Sequence, residues 1–153
     1  MPNTPLPKPP VVVIEPDEDL RASLCTLLSF EGFLPLPAGD AATGWKQLCG
    51  PGPAPHAVLL AAELAHGGAE EFLARWRTMG PEWVPVILLA QSRAQARQRG
   101  LRDATTTLLR PIRSEALLSR LRNVLGRHRA KPRPSAPRTL DLPLAGPPPS
   151  AAR

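Results

Sequence analysis

Tyrosine is absent from this chain, and only three phenylalanines and three tryptophans occur among its 153 residues. A sheet that stacks nucleic-acid bases on successive aromatic rings is therefore not expected. Cys25 and Cys49 are the only thiols. Neither belongs to a Cys-x-x-Cys pair and no two histidines stand at ligand spacing, so both read as reduced, mostly buried thiols in amphipathic helices, with no metal site implied. No apolar run approaches the roughly 20 residues needed to span a bilayer. The start, MPNTPLPKPP, has neither a basic n-region nor a long apolar core, and a soluble cytoplasmic protein is expected. A glycine-rich phosphate loop and a helix-turn-helix pattern are missing too. His56, His66 and His128 fall on a strand approach, in a loop and in the tail, and none pairs with a nucleophile. No cofactor and no enzymatic activity are expected.

Proline, by contrast, is abundant, and it gathers at the two ends in PLPKPP, KPRPSAP and AGPPPSAA. Such segments hold too little apolar surface to offset their ordering entropy. Residues 1–9 and 128–153 are expected to be disordered around one folded domain at 10–127. The net charge of +6 changes meaning once it is located. Between residues 127 and 153, six basic residues face only Asp141, so five of the six net charges lie in the tail. Within the domain, Arg93, Arg97, Arg99, Arg102, Arg110, Arg113, Arg120 and Arg122 face only Asp103 and Glu115. The late part of the domain should present a basic surface, although an arginine-rich helix is often just a solvated face.

The middle alternates strands with amphipathic helices. VVVI, from Val11 to Ile14, suits a parallel strand covered on both faces. Leu20, Leu24, Leu27 and Leu28 form one helical face, with Gly32 placed as a C-terminal cap. Pro35 and Pro37 confine the next segment, if it pairs at all, to a sheet edge. Ala41, Trp45, Leu48 and Cys49 mark a second helix. AVLLAA (57–62) leads to a helix carrying Phe72, Trp76 and Met79, and VPVILLA (84–90) to an Arg- and Gln-rich helix at 92–101. Trp45 and Trp76 read as packing residues, and Trp83 as partly exposed. TTTLL is the last strand. In the last helix Ser114 is the expected cap, Leu117, Leu118, Leu121, Val124 and Leu125 form the stripe, and Gly126 the stop. Five βα units imply an α/β fold with a mainly parallel sheet and helices on both faces, whose sites lie at the carboxyl ends of the strands.

In order and spacing, VVVIEPDEDLRASLCTLLSFEGF, PHAVLLAAELAHGG, PVILLAQS and TLLRPIRSEALLSRLRNVL together resemble the receiver domain of bacterial response regulators. The resemblance implies a doubly wound, flavodoxin-like sheet of five parallel strands in the order 2-1-3-4-5. It also implies a phosphoryl-accepting pocket, built from an aspartate after strand three, an acidic pair after strand one that helps hold Mg²⁺, a hydroxyl after strand four and a lysine after strand five. The matching positions here are Ala61, Glu15 with Pro16, Ala90 and Arg110, and the aromatic switch position falls on Thr107. A methyl group cannot attack phosphorus. Glu63 has the facing of Ala61 but lies some 6–7 Å further on. Asp17 reads as a solvated helix start more readily than as a metal ligand.

The resemblance thus points to a non-phosphorylatable, receiver-like module that regulates bacterial signalling or transcription by binding another protein. Its partner surface should be acidic, and the binding face should include Arg93, Arg97, Arg99, Arg102, Arg113, Arg120 and Arg122. Self-association through helix four, strand five and helix five is a further expectation. Glu15 and Arg110 are expected to pair, with a cis Arg110-Pro111 peptide beside them. The competing reading is a nucleic-acid-binding regulator that uses the arginines and basic tail on phosphates.

Overall fold

The structure, a computed structural model, describes residues 8–52, 54–80 and 84–129. The expectations placed on the far N-terminus, on Trp83 and on the tail beyond 129 lie outside the described residues. The chain alternates β1 (Pro10–Ile14), α1 (Glu18–Phe30), β2 (Leu34–Ala38), α2 (Ala41–Cys49), β3 (Ala57–Ala61), α3 (Gly68–Met79), β4 (Val86–Ala90), α4 (Arg93–Ala96), β5 (Thr106–Leu109) and α5 (Ser114–Arg129). All five strands run parallel, in the order β2-β1-β3-β4-β5. β1, β3 and β4 are buried along their whole length, which is why they read as continuous apolar runs.

Alternation along each strand splits the core into two layers. Val12, Ile14, Val58, Leu60, Val86 and Leu88 pack with Leu48, Phe72 and Leu73 of α2 and α3. Val11, Val13, Leu59, Ile87, Leu89 and Leu108 pack with Leu24 and Leu28 of α1 and Leu117 and Leu121 of α5. Trp45 and Trp76 are half-buried against the first layer, as their spacing predicts. Trp45 meets Phe72 edge-on at 5.8 Å, and Trp76 Nε1 donates to the Val84 carbonyl at 3.1 Å.

β2 does pair, at the edge. α1 stops where Gly32 adopts φ +92 and Phe33 N–H returns to the Leu28 carbonyl at 2.9 Å, a glycine-dependent reversal that starts β2. Several expectations need correction. Leu20 and Met79, expected to face the core, are 44% and 68% exposed; both stand in terminal turns, Leu20 in the first turn of α1 and Met79 at the last residue of α3. Cys49 is exposed and Cys25 half-buried. α4 is a single turn instead of a helix over 92–101. Its apolar face is too thin to hold it to the sheet, and Gly100 turns the chain at φ +93. Ser114 is the first residue of α5 and not its cap, and α5 runs through Gly126 to Arg129.

Candidate functional site

The alternation that sends Val11 and Val13 to the α1/α5 layer carries Glu15 to the same side, just past the end of β1. Glu15 N–H donates to the Ala38 carbonyl at 3.0 Å, extending the β1–β2 ladder by one residue. Its side chain is the one buried charged group among the described residues. A buried carboxylate needs partners, and it has two. Oε2 accepts the Asp17 N–H at 3.2 Å, and Oε1 accepts Arg110 Nη2 at 2.7 Å. Arg21 Nη1 adds a hydrogen bond to the Glu15 carbonyl at 2.9 Å, anchoring the turn.

Arg110 follows β5 in the same way. Its N–H donates to the Ala90 carbonyl at 2.8 Å, and the Arg110-Pro111 peptide is cis. Its side chain reaches back across the ends of β4 and β3 and is 14% exposed. On the way it meets Glu63, whose Oε1 accepts from Nε at 3.2 Å and from Nη2 at 2.9 Å. One guanidinium therefore holds two carboxylates. Burial acts against its charge, but the hydrogen bonds and charges of Glu15 and Glu63 outweigh burial and push its pKa above the ordinary arginine value.

Ala61 and Ala90 close the ends of β3 and β4, both fully buried, beneath this clamp. Neither side chain offers an atom that can attack or hydrogen-bond. Pro16 is exposed and supplies no second carboxylate. Asp17 is also exposed, and its side chain caps α1 by accepting the Leu20 N–H at 3.0 Å. Among the described residues, no group of three or more His, Cys, Asp or Glu side chains is placed to hold a metal ion. The Mg²⁺ that the resemblance implies does not fit. It demands near-octahedral oxygen ligands, whereas the carboxylates of Glu15 and Glu63 already share an arginine and Asp17 faces away.

The expected Glu15–Arg110 pair is thus present. Glu63 completes it; its spacing from Ala61 points to this residue only as a distant substitute for the missing nucleophile and not as a partner of Arg110. The chain turns at Ala62 and Glu63 directly after β3, and the long Arg110 side chain spans what distance remains. The facing that Glu63 shares with Ala61 was the available signal. Glu63 Oε2 is shielded from solvent without a hydrogen-bond partner among the described residues.

The seven arginines expected to form one surface divide. Arg93, Arg97, Arg102 and Arg120 line a groove of about 540 Å³ between α4 and α5, floored by β5. Thr107 lies in that groove as well. Arg99 belongs instead to the neighbouring hollow near Glu70, where Arg77 pairs with Asp103 at 2.9 Å. Arg122 turns to α1 and pairs with Glu31 at 3.4 Å, and Arg113 is exposed in the turn before α5. On the opposite side of α5, Leu20, Leu24, Leu27, Ile112 and Leu117 border an apolar hollow of about 510 Å³ beside Arg110, which accounts for the exposure of Leu20.

No family model matches the chain, and no curated protein does. Solved structures match its fold closely. The signal receiver domain of an HD domain-containing protein from Pseudomonas fluorescens Pf-5 is 23% identical, with a TM-score of 0.70, over 84% of this chain and 95% of that one. A CheY-like response regulator receiver domain protein from Methanospirillum hungatei JF-1 is 16% identical, with a TM-score of 0.71, over 82% and 100%. The chemotaxis response regulator CheY4 of Vibrio cholerae is 16% identical, with a TM-score of 0.68, over 77% and 99%. The chain has the receiver-domain fold.

Proposed function

We propose that this receiver-fold chain accepts no phosphoryl group and works as a constitutive protein-binding module in bacterial signalling or transcription control, in the cytoplasm and without catalysis. The observation that carries this reading is the Arg110 clamp. Phosphoryl transfer to a carboxylate needs a nucleophile, a divalent cation and cationic or hydroxyl contacts to the equatorial oxygens. Here Ala61 supplies no nucleophile, Ala90 supplies no hydroxyl, and Arg110 neutralises the acids that would hold the cation. A fixed internal cation replaces one that comes and goes, so the strand ends have no chemical event to report. The absence of a membrane-crossing helix among the described residues is compatible with the proposed location.

The test is incubation of the whole chain with acetyl phosphate or phosphoramidate and Mg²⁺, followed by intact-mass analysis. The expected spectrum is unchanged. A phosphoryl-sized increment that hydroxylamine removes would show an acyl phosphate and overturn the reading. Glu63, the acid nearest to Ala61 in sequence, is then the residue to substitute first.

A further inference from the structure

We propose that the hollow between α1 and the start of α5 binds a small, neutral, largely apolar molecule that carries a carbonyl group, a site that goes beyond the proposed function and does not depend on it. The lower part of the hollow is apolar. Leu24 and Leu117 are buried at its floor, Leu27 and Ile112 are half-buried on its flanks, and Leu20 is 44% exposed at the rim. Water against these side chains is unfavourable, and an apolar occupant that displaces it gains free energy. The volume of about 510 Å³ falls in the range of pockets that take cofactor- or drug-sized compounds, roughly 300–1,000 Å³. Such pockets join an apolar body to a few placed polar groups, and this hollow has both.

The polar groups on the wall set the chemistry of the ligand. Arg110 borders the hollow, together with Ser23, Gln91 and Ser114. Its Nε and Nη2 hydrogens are engaged by Glu15 and Glu63, whereas Nη1 makes no hydrogen bond among the described residues. Two guanidinium donors are therefore left for an acceptor. A carbonyl oxygen answers them. A carboxylate does so less well, because Arg110 already holds two carboxylates and a third would set three anions around one cation. A cationic ligand fares worse, since Arg110 is the only charged residue lining the hollow. A neutral ligand satisfies the donors and covers the leucines without adding a charge. Bonded there, it touches the same guanidinium that ties the end of β5 to those of β1 and β3.

The experiment titrates the full-length protein with Prodan, a neutral naphthalene ketone whose emission moves to the blue when it leaves water. Two companions share its ring system. One carries a carboxylate in place of the ketone, and the other lacks the acyl group. Prodan is expected to bind with blue-shifted emission, and each companion about tenfold more weakly, the effect of losing one hydrogen bond to a charged donor. Amide NMR shifts should centre on Leu20, Leu24, Ile112 and Leu117. Ser23→Trp, at an exposed position of α1 on the wall of the hollow, should fill it and abolish binding. Leu20→Ser should weaken binding of Prodan and of the acyl-free ring alike. Unchanged Prodan emission overturns the proposal, as does binding that survives Ser23→Trp in a variant of native circular dichroism. Tighter binding of the carboxylate, or equal binding of the acyl-free ring, overturns it too, because the guanidinium donors would then not select a carbonyl. So does a dimer, seen by sedimentation, that Ser23→Trp dissolves, since a second copy would then cover the hollow. The phosphodonor experiment reads a different site, so a protein that ignores Prodan and stays unmodified loses only the hollow and keeps the proposed function.

Discussion

Glu15 and Arg110, 95 residues apart in sequence, meet at 2.7 Å at the carboxyl ends of β1 and β5, the carboxylate almost wholly buried and the guanidinium nearly so. Such a pair is worth little when exposed but couples strongly when solvent is excluded and each group has further hydrogen bonds. A double-mutant cycle on Glu15→Gln and Arg110→Met should give a coupling of about 1–3 kcal/mol. The two single variants should differ. Glu15→Gln leaves Arg110 with Glu63, whereas Arg110→Met leaves two carboxylates facing each other without a cation and should be the more destabilised in urea unfolding. Zero coupling within error would show that the pair contributes nothing to stability, and equal single costs would show that Glu63 does not hold Arg110 in place of Glu15.

Reinstating the missing carboxylate should not restore phosphoryl transfer. Ala61→Asp adds a third acid beside a single guanidinium, while Pro16, Ala90 and Arg110 still leave the metal and the equatorial oxygens without their contacts. With acetyl phosphate and Mg²⁺, the expected mass spectrum of Ala61→Asp shows no phosphoryl increment. Rapid, stoichiometric labelling of this variant would mean that Arg110 yields to Mg²⁺ more easily than the geometry implies.

Much of this was legible in the residues. The buried strands announce themselves as apolar runs because both their faces are covered, and the ends of such strands are where Glu15, Ala61, Ala90 and Arg110 fall. The parts that were not legible depend on where a chain turns in space. Glu63 reaches Arg110 through a bend after β3 that no periodicity encodes. The arginines looked like one surface because they are neighbours in sequence, but Arg122 lies on the side of α5 toward α1 and Arg99 points to the hollow near Glu70. α4 carried the weakest apolar stripe, and it shrank to a turn.

Gly44 sits inside α2 and is buried against Ile14, the residue before Glu15. In an exposed helix, Gly→Ala stabilises by roughly 0.5–1 kcal/mol. Here an added Cβ would collide with Ile14 Cδ1 and Cγ1, and overpacking of this kind costs about 1–3 kcal/mol. Gly44→Ala is therefore expected to lower the melting temperature, and Ile14→Val in the same chain should return part of the loss. A stabilised Gly44→Ala variant would show that α2 lifts off β1 freely.

Asp40 caps α2, its carboxylate accepting the Thr43 N–H at 2.7 Å, and this hydrogen bond holds its pKa below the ordinary 3.8. A carboxylate with a depressed folded-state pKa contributes stability above its unfolded value and loses that contribution as pH falls through the folded one. The stability difference between the wild type and Asp40→Ala should be present at neutral pH and shrink below about pH 4. Asp40→Asn, which caps without titrating, should keep its advantage over alanine at both. Parallel pH profiles for the three proteins would rule out the cap as the source.

β2 exposes the open edge of the sheet, and its two prolines sit where they close it. Leu34 N–H donates to the Pro9 carbonyl at 2.9 Å, and the Ala38 carbonyl accepts from Glu15. In a parallel ladder alternate residues bond to the same neighbour, so residues 34, 36 and 38 face β1, and the nitrogens of Pro35 and Pro37 face outward. A proline nitrogen has no hydrogen to donate. Both donor positions on the free edge are therefore blank, which deprives an incoming strand of its ladder while leaving the bonds to β1 intact. Changing both to threonine should act in two directions. The unfolded chain gains freedom, so the folded chain should lose about 0.4–1 kcal/mol per site. The edge gains two outward N–H groups beside the partly exposed Leu34, and the variant should associate with rising concentration more than the wild type does. Sedimentation velocity over a concentration series reads the second effect and urea unfolding the first. If the double variant sediments as the wild type does at every concentration, the prolines are tolerated at this edge without guarding it.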